Sequence, residues 1–278
     1  MKFFITGGTG KVGSRFACYL LNKGYEVKLL VRSIEKGKAL QERGAELILG
    51  SLSDYSFLVN AIKGTDAVIH LAAQFRNISD EEVAWENNYE ASLIVAKAAI
   101  EAGVKRFVFS STSLVYGGIE HTRPCLEEEK LAPKMLYPKT KAATEKALLE
   151  LDLDLRIVRF AFVYGDRDKH IEEFAPIMQT WNPKQKLSLI HHDDICQSLL
   201  LAAEKEGVAK HIYNVADEEP ISVADLLDLN HMPKQSPEAH DTPYDEYGML
   251  LDTTKIKAEL GFKPKYPSFK SALDADAL

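Results

Sequence analysis

The segment YPKTK, residues 137–141, places a tyrosine and a lysine four positions apart. On a helix such positions lie on one face within about 6 Å, so the two side chains can act together. A free phenol has a pKa of about 10, and a neighbouring ammonium stabilises its anion. We therefore expect Lys141 to lower the pKa of Tyr137, which would transfer a proton at neutral pH. An isolated pair of this spacing is also compatible with a half-buried aromatic residue beside a surface charge.

A glycine-rich turn is the second chemical signal. Gly7, Gly10 and Gly13 lie between the apolar run KFFIT and a helical pattern, with Lys11 and Val12 among them. Glycine lets the chain turn tightly and lets a pyrophosphate approach the backbone, while the helix N-terminus supplies amides for the phosphates. In this strand-turn-helix context the turn predicts a dinucleotide site.

The position nineteen residues beyond Gly13 indicates which dinucleotide is bound. An NAD enzyme usually carries an acidic residue there for the ribose 2′-hydroxyl, whereas this chain has Arg32. An arginine can pair with a 2′-phosphate, so we predict NADP as the preferred cofactor and NAD as the alternative. A solvated charge at the end of a strand would also explain Arg32.

The elements that must position these residues alternate along the chain. Short β-branched or aromatic runs alternate with longer helical patterns, which predicts an α/β fold with a doubly wound parallel sheet, the Rossmann fold. The strand candidates are KFFIT, EVKLLV, AELILG, AVIHLA, RFVFSS and LDLRIVRFAFVYG. They predict a dinucleotide-binding domain over 1–165 and a small C-terminal substrate lobe over 166–278, partly interleaved with the end of the sheet. Residues 230–248 lack periodicity and are predicted to be an irregular loop.

Composition narrows the choice of partners. The 34 basic and 41 acidic side chains give a formal net charge of −7, which argues against a nucleic-acid or anionic-membrane surface and favours a small-molecule substrate. The cysteines, Cys18, Cys125 and Cys196, have no paired spacing, so free thiols are expected. The N-terminal run is too short for a signal peptide or a membrane span, and we expect a cytoplasmic protein.

The motifs TGGTGKVG, VIHLAA, FVFSSTSLVYG, YPKTK, HHDDI and YNVADEEPISV, taken in order, resemble the extended short-chain dehydrogenase/reductase family, the NAD(P)-dependent epimerase/dehydratase group. The resemblance covers nearly the whole chain. It implies that Tyr137 moves a proton while Lys141 also holds the nicotinamide ribose, and that Thr112 orients the substrate oxygen. Ser111 or Ser113 takes the role of Thr112 if the register shifts by one.

The resemblance also implies further contacts. The remaining cofactor-binding candidates are Ser110, Leu71, Ala72, Ala73 and Leu52. The family carries an acidic residue after the third strand, where this chain has Ser51, and Leu52 is expected to make the adenine contact instead. Asn88 matches a structural asparagine.

The segment His191–Asp194 matches a family motif rather than a metal site, with Asp194 expected to cap a helix. The resemblance also implies a homodimer built on two helices, with apolar positions at Leu93, Ile94, Ala98, Ala143 and Leu148.

Three departures from the family pattern narrow the chemistry. Ser113 and Leu114 replace the Asp-Glu pair of nucleotide-sugar dehydratases, Phe162 replaces an asparagine of nucleotide-sugar enzymes, and only 25 residues (166–190) separate Gly165 from His191. These changes favour hydride transfer to or from a carbonyl or secondary alcohol of a small, non-nucleotide substrate. The alternatives are a nucleotide-sugar epimerase with tightly bound NAD and a non-catalytic dinucleotide-sensing protein. Retention of the tyrosine-lysine pair argues against the last.

Overall fold

The fold is seen in a computed structural model that describes residues 1–75, 80–117 and 119–278. The strands are β1 (Lys2–Thr6), β2 (Glu26–Val31), β3 (Glu46–Leu49), β4 (Ala67–His70), β5 (Arg106–Thr112), β6 (Asp154–Phe160), β7 (Phe162–Tyr164), β8 (Lys186–Leu187), β9 (Leu189–His191), β10 (His211–Val215) and β11 (Ile221–Ser222). The helices are α1 (Lys11–Asn22), α2 (Ile34–Glu42), α3 (Tyr55–Ile62), α4 (Glu81–Trp85), α5 (Ala91–Glu101), α6 (Leu136–Leu149), α7 (His170–Met178), α8 (His192–Glu204), α9 (Val223–Leu229), α10 (Thr254–Leu260) and α11 (Phe269–Asp274).

Seven strands form one parallel sheet in the order β10-β6-β5-β4-β1-β2-β3. The chain runs outward from β1 to β3 and then crosses back to β4, so the order reverses between β1 and β4. In open α/β sheets a ligand binds at the carboxyl ends of the strands beside such a reversal. The predicted doubly wound fold is confirmed, and KFFIT and EVKLLV coincide with β1 and β2.

Alternation along the strands distributes apolar side chains to both faces of the sheet. Phe3 and Ile5 of β1 belong to one buried cluster, which includes Phe16 of α1 and Leu199 of α8. Phe4 belongs to the opposite cluster, with side chains from α3, α5 and α6. Helices therefore cover both faces, and the carboxyl edge of the sheet lies between the two layers.

The chain beyond residue 165 contributes to both parts of the molecule. Strand β10 pairs with β6 in the large sheet, whereas β8 pairs with β11 and β7 with β9 in separate two-stranded sheets. A third apolar cluster, including Tyr164 and Phe269, packs these smaller sheets against α7, α9 and α11. The segment LDLRIVRFAFVYG is therefore not one strand. It leaves the large sheet after Phe160, and the Phe162 amide donates to Ser188 O at 3.2 Å.

The segment 230–248 is irregular, as predicted, apart from a 3₁₀ turn at Pro237–Asp241. Its backbone is anchored to the small lobe, because Asn182 Nδ2 donates to His240 O and Thr242 O at 3.2 and 2.8 Å.

The three cysteines are unpaired, as expected. Within the described part of the chain, no helix is both long and apolar enough to cross a bilayer.

Candidate active site

The turn between β1 and α1 has no room for a side chain at Gly7 or Gly13. Gly7 has a φ of 71°, and a Cβ there would lie 2.6 Å from the Ala72 amide nitrogen. A Cβ on Gly13 would lie 2.2 Å from Gly7 O. The first amides of α1, starting at Lys11, have no partner within the helix and face the turn. Close backbone approach and a helix N-terminus fit the diphosphate of a dinucleotide.

An ion-pair cluster joins this turn to the small lobe. Lys11 Nζ lies 2.5 Å from Asp168 Oδ1 and 3.5 Å from Glu173 Oε2, while Asp168 Oδ2 lies 2.9 Å from His192 Nε2. Burial alone would raise the pKa of Asp168, but hydrogen bonds from His192 and Lys11 outweigh it and lower that pKa. No sequence signal predicted this cluster, because 157 residues separate Lys11 from Asp168.

Tyr137 and Lys141 lie on the first turns of α6, where Pro138 is tolerated because its missing N–H has no partner there. The Lys141 side chain is buried, and its Nζ donates to Ser110 O of β5 at 2.8 Å. The same Nζ lies 4.4 Å from the centroid of the Phe109 ring and 5.9 Å from that of Tyr137. The structure thus brings the two residues to the carboxyl end of β5.

Burial sets the pKa values of this pair. It raises the pKa of Tyr137, and it lowers the pKa of Lys141 to about 7, with the negative charge of Glu145 opposing the shift. The expectation that Lys141 lowers the pKa of Tyr137 is wrong for the chain alone, because desolvation disfavours both charged forms. The phenol is therefore protonated at neutral pH, as a proton donor must be.

We expect the buried ammonium to impose a pH dependence on stability. The pKa of Lys141 falls from the ordinary 10.5 to about 7, so between these values the unfolded chain binds more protons and stability rises with pH. Relative to Lys141→Met, the free energy of unfolding of the wild type should rise by up to about 1.4 kcal/mol per pH unit between about pH 7.5 and 9.5. Urea titrations at several pH values measure this difference. A constant difference would mean that the folded lysine stays charged.

The hydroxyl candidates at the end of β5 have different surroundings. Ser110 Oγ donates to His70 O at 3.2 Å, and Ser111 Oγ donates to the buried carboxylate of Glu145. Thr112, the last residue of β5, accepts the Leu114 amide at 3.3 Å, which leaves its own hydroxyl proton available for another acceptor. Ser113 begins a 3₁₀ turn.

The loop after β4 is held against the start of α6. Asn88 Oδ1 accepts the Gln74 amide at 2.7 Å, and Asn88 Nδ2 donates to Gln74 O and to Thr140 Oγ1 at 3.0 and 3.2 Å. Asn88 lies in a π-helical turn, Glu86–Glu90, a feature common at functional sites. It thereby positions the chain that follows Leu71, Ala72 and Ala73, three residues directly after β4.

The remaining predicted residues lie beyond β2, beyond β3 and at the start of α1. Arg32 is exposed directly after β2, and Leu52 is half-buried just beyond β3. Val12 packs on the core and Lys11 is exposed. Arg32 and Leu52 thus lie just beyond β2 and β3, where the adenosine half of a dinucleotide binds in a doubly wound sheet.

The HHDD segment has a structural arrangement. His191 caps α8, its Nδ1 accepting the Asp193 amide at 3.1 Å. Asp194 accepts the amides of Lys265 and Tyr266 at 2.6 and 3.1 Å. The prediction that Asp194 is the cap was therefore wrong by three positions. In the part of the chain that the structure describes, no group of three or more His, Cys, Asp or Glu side chains is arranged to hold a metal ion.

Aromatic rings gather beside Tyr137. The Phe75 ring meets that of Tyr137 edge to face at 4.9 Å and that of His170 at 6.1 Å. The His170 ring stacks on Phe162 at 4.2 Å, with Phe174 behind both. A cleft of about 380 Å³ is lined by Lys11, Ala73, Gln74 and Phe75. The cleft thus runs from the phosphate turn toward the aromatic rings.

The sequence that forms this site matches the model of a known protein family. The model of the NAD dependent epimerase/dehydratase family matches residues 3–216, which include the glycine turn and the Tyr137–Lys141 pair. The chain belongs to this family. It is an NAD(P)-dependent enzyme of the short-chain dehydrogenase/reductase type, as the motifs predicted.

The members of the epimerase/dehydratase family to which this chain is similar have different activities. It is 28% identical over 279 residues to a 4-hydroxy-2-methyl-3-oxo-4-farnesyl-3,4-dihydroquinoline-1-oxide ketoreductase of Stigmatella aurantiaca, covering 95% of this chain and 76% of that protein. Its fold matches a UDP-glucose 4-epimerase of Thermotoga maritima with UDP-glucose, with a TM-score of 0.80, 26% identity and coverage of 98% and 96% of the two chains. A dTDP-glucose 4,6-dehydratase of Streptomyces venezuelae with bound NAD matches with a TM-score of 0.79, 26% identity and coverage of 99% and 95%.

Proposed function

We propose that this epimerase/dehydratase family enzyme reduces the carbonyl of a small, non-nucleotide substrate to a secondary alcohol, or catalyses the reverse oxidation, with NADP as the preferred cofactor. The observation that carries the proposal is the junction of α6 and β5. Lys141 Nζ is bound to Ser110 O, and its ammonium lies 5.9 Å from the Tyr137 ring. The pair faces the carboxyl edge of the sheet, where the glycine turn also lies.

Each residue has a distinct role in this proposal. When bound, the nicotinamide cofactor supplies the hydride for reduction or accepts it on oxidation. Tyr137 gives its hydroxyl proton to the carbonyl oxygen as the carbonyl carbon gains the hydride, so the C=O bond becomes the C–O bond of an alcohol. Lys141 stabilises the phenolate that this leaves. Thr112 donates a hydrogen bond to the same oxygen, a role that Ser111 cannot fill while its hydroxyl donates to Glu145.

The surroundings support a substrate without a nucleotide. Phe162, where nucleotide-sugar enzymes carry an asparagine, stacks on His170 at 4.2 Å and presents an apolar wall. Ser113 and Leu114, which replace the dehydratase acid pair, form the start of a 3₁₀ turn. The Stigmatella relative, a ketoreductase by name, carries out the proposed reaction type on a molecule that is not a sugar nucleotide.

Isotope transfer tests this function. The purified enzyme is incubated with a panel of ketones and NADPH deuterated at either face of C4. The proposal requires deuterium on the carbinol carbon of a product and oxidation of one NADPH per alcohol formed. UDP-glucose and dTDP-glucose form the second arm, and their epimerisation or dehydration without net cofactor oxidation would overturn the proposal. Cofactor binding without turnover of any substrate would favour the sensing alternative.

Arg32 is proposed to select NADP. It is exposed directly after β2, where its guanidinium can pair with a 2′-phosphate. We expect Arg32→Ala to weaken NADPH binding by about 10- to 100-fold, the loss of one charge-assisted contact, and to leave NADH binding nearly unchanged. Isothermal titration calorimetry with both cofactors measures the effect. The control is Arg43→Ala, which removes an equal charge from the other end of α2, where Arg43 donates to Asn22 Oδ1. Equal losses for both cofactors would contradict the assignment.

We further propose a homodimer paired through α5 and α6. Of the five apolar positions considered for this interface, Ala98 and Leu148 are fully buried against the sheet. The contact between the two subunits would therefore be made by the half-buried Leu93, Ile94 and Ala143. Light scattering of the purified protein measures the mass in solution, and a monomer at micromolar concentration would reject the dimer.

A further inference from the structure

We propose that the substrate of this site is an aryl ketone, a compound whose reacting carbonyl is attached to an aromatic ring. This inference rests on the proposed function and names the substrate class for it. The aromatic cluster, which consists of Phe75, Phe162, His170 and Phe174, contacts the Tyr137 ring through Phe75.

The cluster is built from three separate parts of the chain. Phe75 follows β4, Phe162 begins β7, and His170 and Phe174 lie on α7. His170 Nδ1 donates to Val163 O at 2.9 Å, which fixes its ring parallel to Phe162 with an interplanar angle of 7°. Phe162 and His170 thus form a wall of two stacked rings, and Phe75 links this wall to Tyr137.

Phe75 places this wall within reach of the reacting group. Its ring contacts Tyr137 on one side and His170 on the other, in edge-to-face geometry with interplanar angles of 70° and 88°. The Phe75 side chain is 37% exposed, and it lines the 380 Å³ cleft. A flat ring entering the cleft can therefore meet the face of Phe75 while its attached carbonyl lies toward the Tyr137 hydroxyl.

The ion pairs of Lys11 beside the cleft favour an uncharged ligand over an anionic one. Lys11, on the cleft wall, is paired with Asp168 and Glu173, so an anionic substrate would have to compete with two carboxylates for it. Aromatic rings prefer offset or edge-to-face partners, each worth about 0.5–1.5 kcal/mol beyond the area buried. That preference separates an aromatic ring from a saturated ring of similar size.

The test compares acetophenone with cyclohexyl methyl ketone, which differ in ring aromaticity at similar size. We expect kcat/KM with NADPH to favour acetophenone by about 10-fold, from one to two aromatic contacts. Phe75→Leu should reduce this preference to about 2-fold or less, because the aryl ring of acetophenone then loses its aromatic partner. Tyr244→Leu, which changes an exposed aromatic residue lining a separate cleft, is the matched control and should keep the full preference.

A binding measurement separates this inference from the proposed function. Affinities of both ketones for the enzyme with NADPH are measured by calorimetry in the Tyr137→Phe background, where proton transfer is blocked. Tighter binding of acetophenone without turnover in the wild type would overturn the reductase function and keep the aryl site. Turnover of both ketones with equal kcat/KM, or equal affinities that Phe75→Leu does not change, would overturn the aryl site alone.

Discussion

Replacing Tyr137 with phenylalanine is expected to lower kcat by at least about 100-fold, the usual contribution of a positioned general acid. The substitution removes one oxygen and leaves the ring that packs edge to face on Phe75 at 4.9 Å. Burial keeps the wild-type hydroxyl protonated, so its loss removes the proton that the carbonyl oxygen receives in reduction. Single-turnover kinetics with excess enzyme measure the chemical step directly.

Binding and stability should be unchanged in this variant. Cofactor affinity does not depend on the Tyr137 hydroxyl in the proposed site, because Lys141 and the glycine turn provide the contacts. Tyr164→Phe is the matched control, since its buried hydroxyl has no hydrogen-bond partner in the described structure. We expect it to retain the wild-type rate. An unchanged rate in Tyr137→Phe on a verified substrate would remove Tyr137 from the mechanism, whereas loss of cofactor binding would indicate a structural effect.

Local patterns predicted the scaffold well because each depends on neighbouring residues. The glycine turn is read from a strand, three glycines and a helix within about twenty residues, and β1 and α1 occur where that pattern requires. The Tyr137–Lys141 spacing is likewise a property of one helix. Sequence periodicity does not show which distant residue each side chain contacts in the folded protein. The bond from Lys141 to Ser110 O joins residues 31 positions apart.

The predictions that failed concern competition between local and tertiary contacts. Asp194 is a good cap residue by type, yet it caps nothing because the amides of Lys265 and Tyr266 occupy its carboxylate. The strand LDLRIVRFAFVYG reads as continuous, yet Phe162 pairs with a strand of the small lobe. Lys141 was expected to lower the pKa of Tyr137, whereas burial raises the pKa of Tyr137 and lowers that of Lys141. The domain boundary at residue 165 and the assigned site roles stay predictions.

A buried charge pair beneath the site was also missed, although one signal pointed to it. Glu145 lies four positions after Lys141, on the same face of α6, and a charged residue facing a sheet needs a partner. The partner is Arg159 of β6, whose Nη2 lies 2.6 Å from Glu145 Oε2. The side chains are 3% and 2% exposed. Arg159 also donates to Tyr116 Oη and Glu127 O at 2.5 and 2.9 Å.

This pair connects the elements that carry the site. Glu145 accepts the Ser111 hydroxyl of β5 and belongs to α6, the helix of Tyr137 and Lys141. Tyr116 donates onward to Asn214 Oδ1 of β10 at 2.8 Å. The network therefore fixes α6 against β5, β6 and β10, and the position of Lys141 beneath Tyr137 depends on it. The negative charge of Glu145 also opposes the burial that lowers the pKa of Lys141.

Arg159→Met is accordingly expected to lower the free energy of unfolding by about 3–5 kcal/mol, the typical cost of leaving one charge of a buried pair alone. Urea unfolding with linear extrapolation measures the change. Arg156→Met is the matched control on the same strand. Its partner Asp154 has a side chain that is 27% exposed, so water can solvate the remaining carboxylate and the loss should be smaller.

Removing both charges distinguishes the pair from simple loss of packing. In Glu145→Leu/Arg159→Met neither charge of this pair is left alone, and replacing both partners of a buried pair by apolar residues is often neutral. We expect the double variant to recover most of the stability lost by Arg159→Met, while Ser111 and Tyr116 each lose one hydrogen-bond partner at a cost of about 1 kcal/mol. If the double variant were as unstable as the sum of its single variants, the two charges would not interact, and α6 would be fixed on β6 by apolar contacts alone.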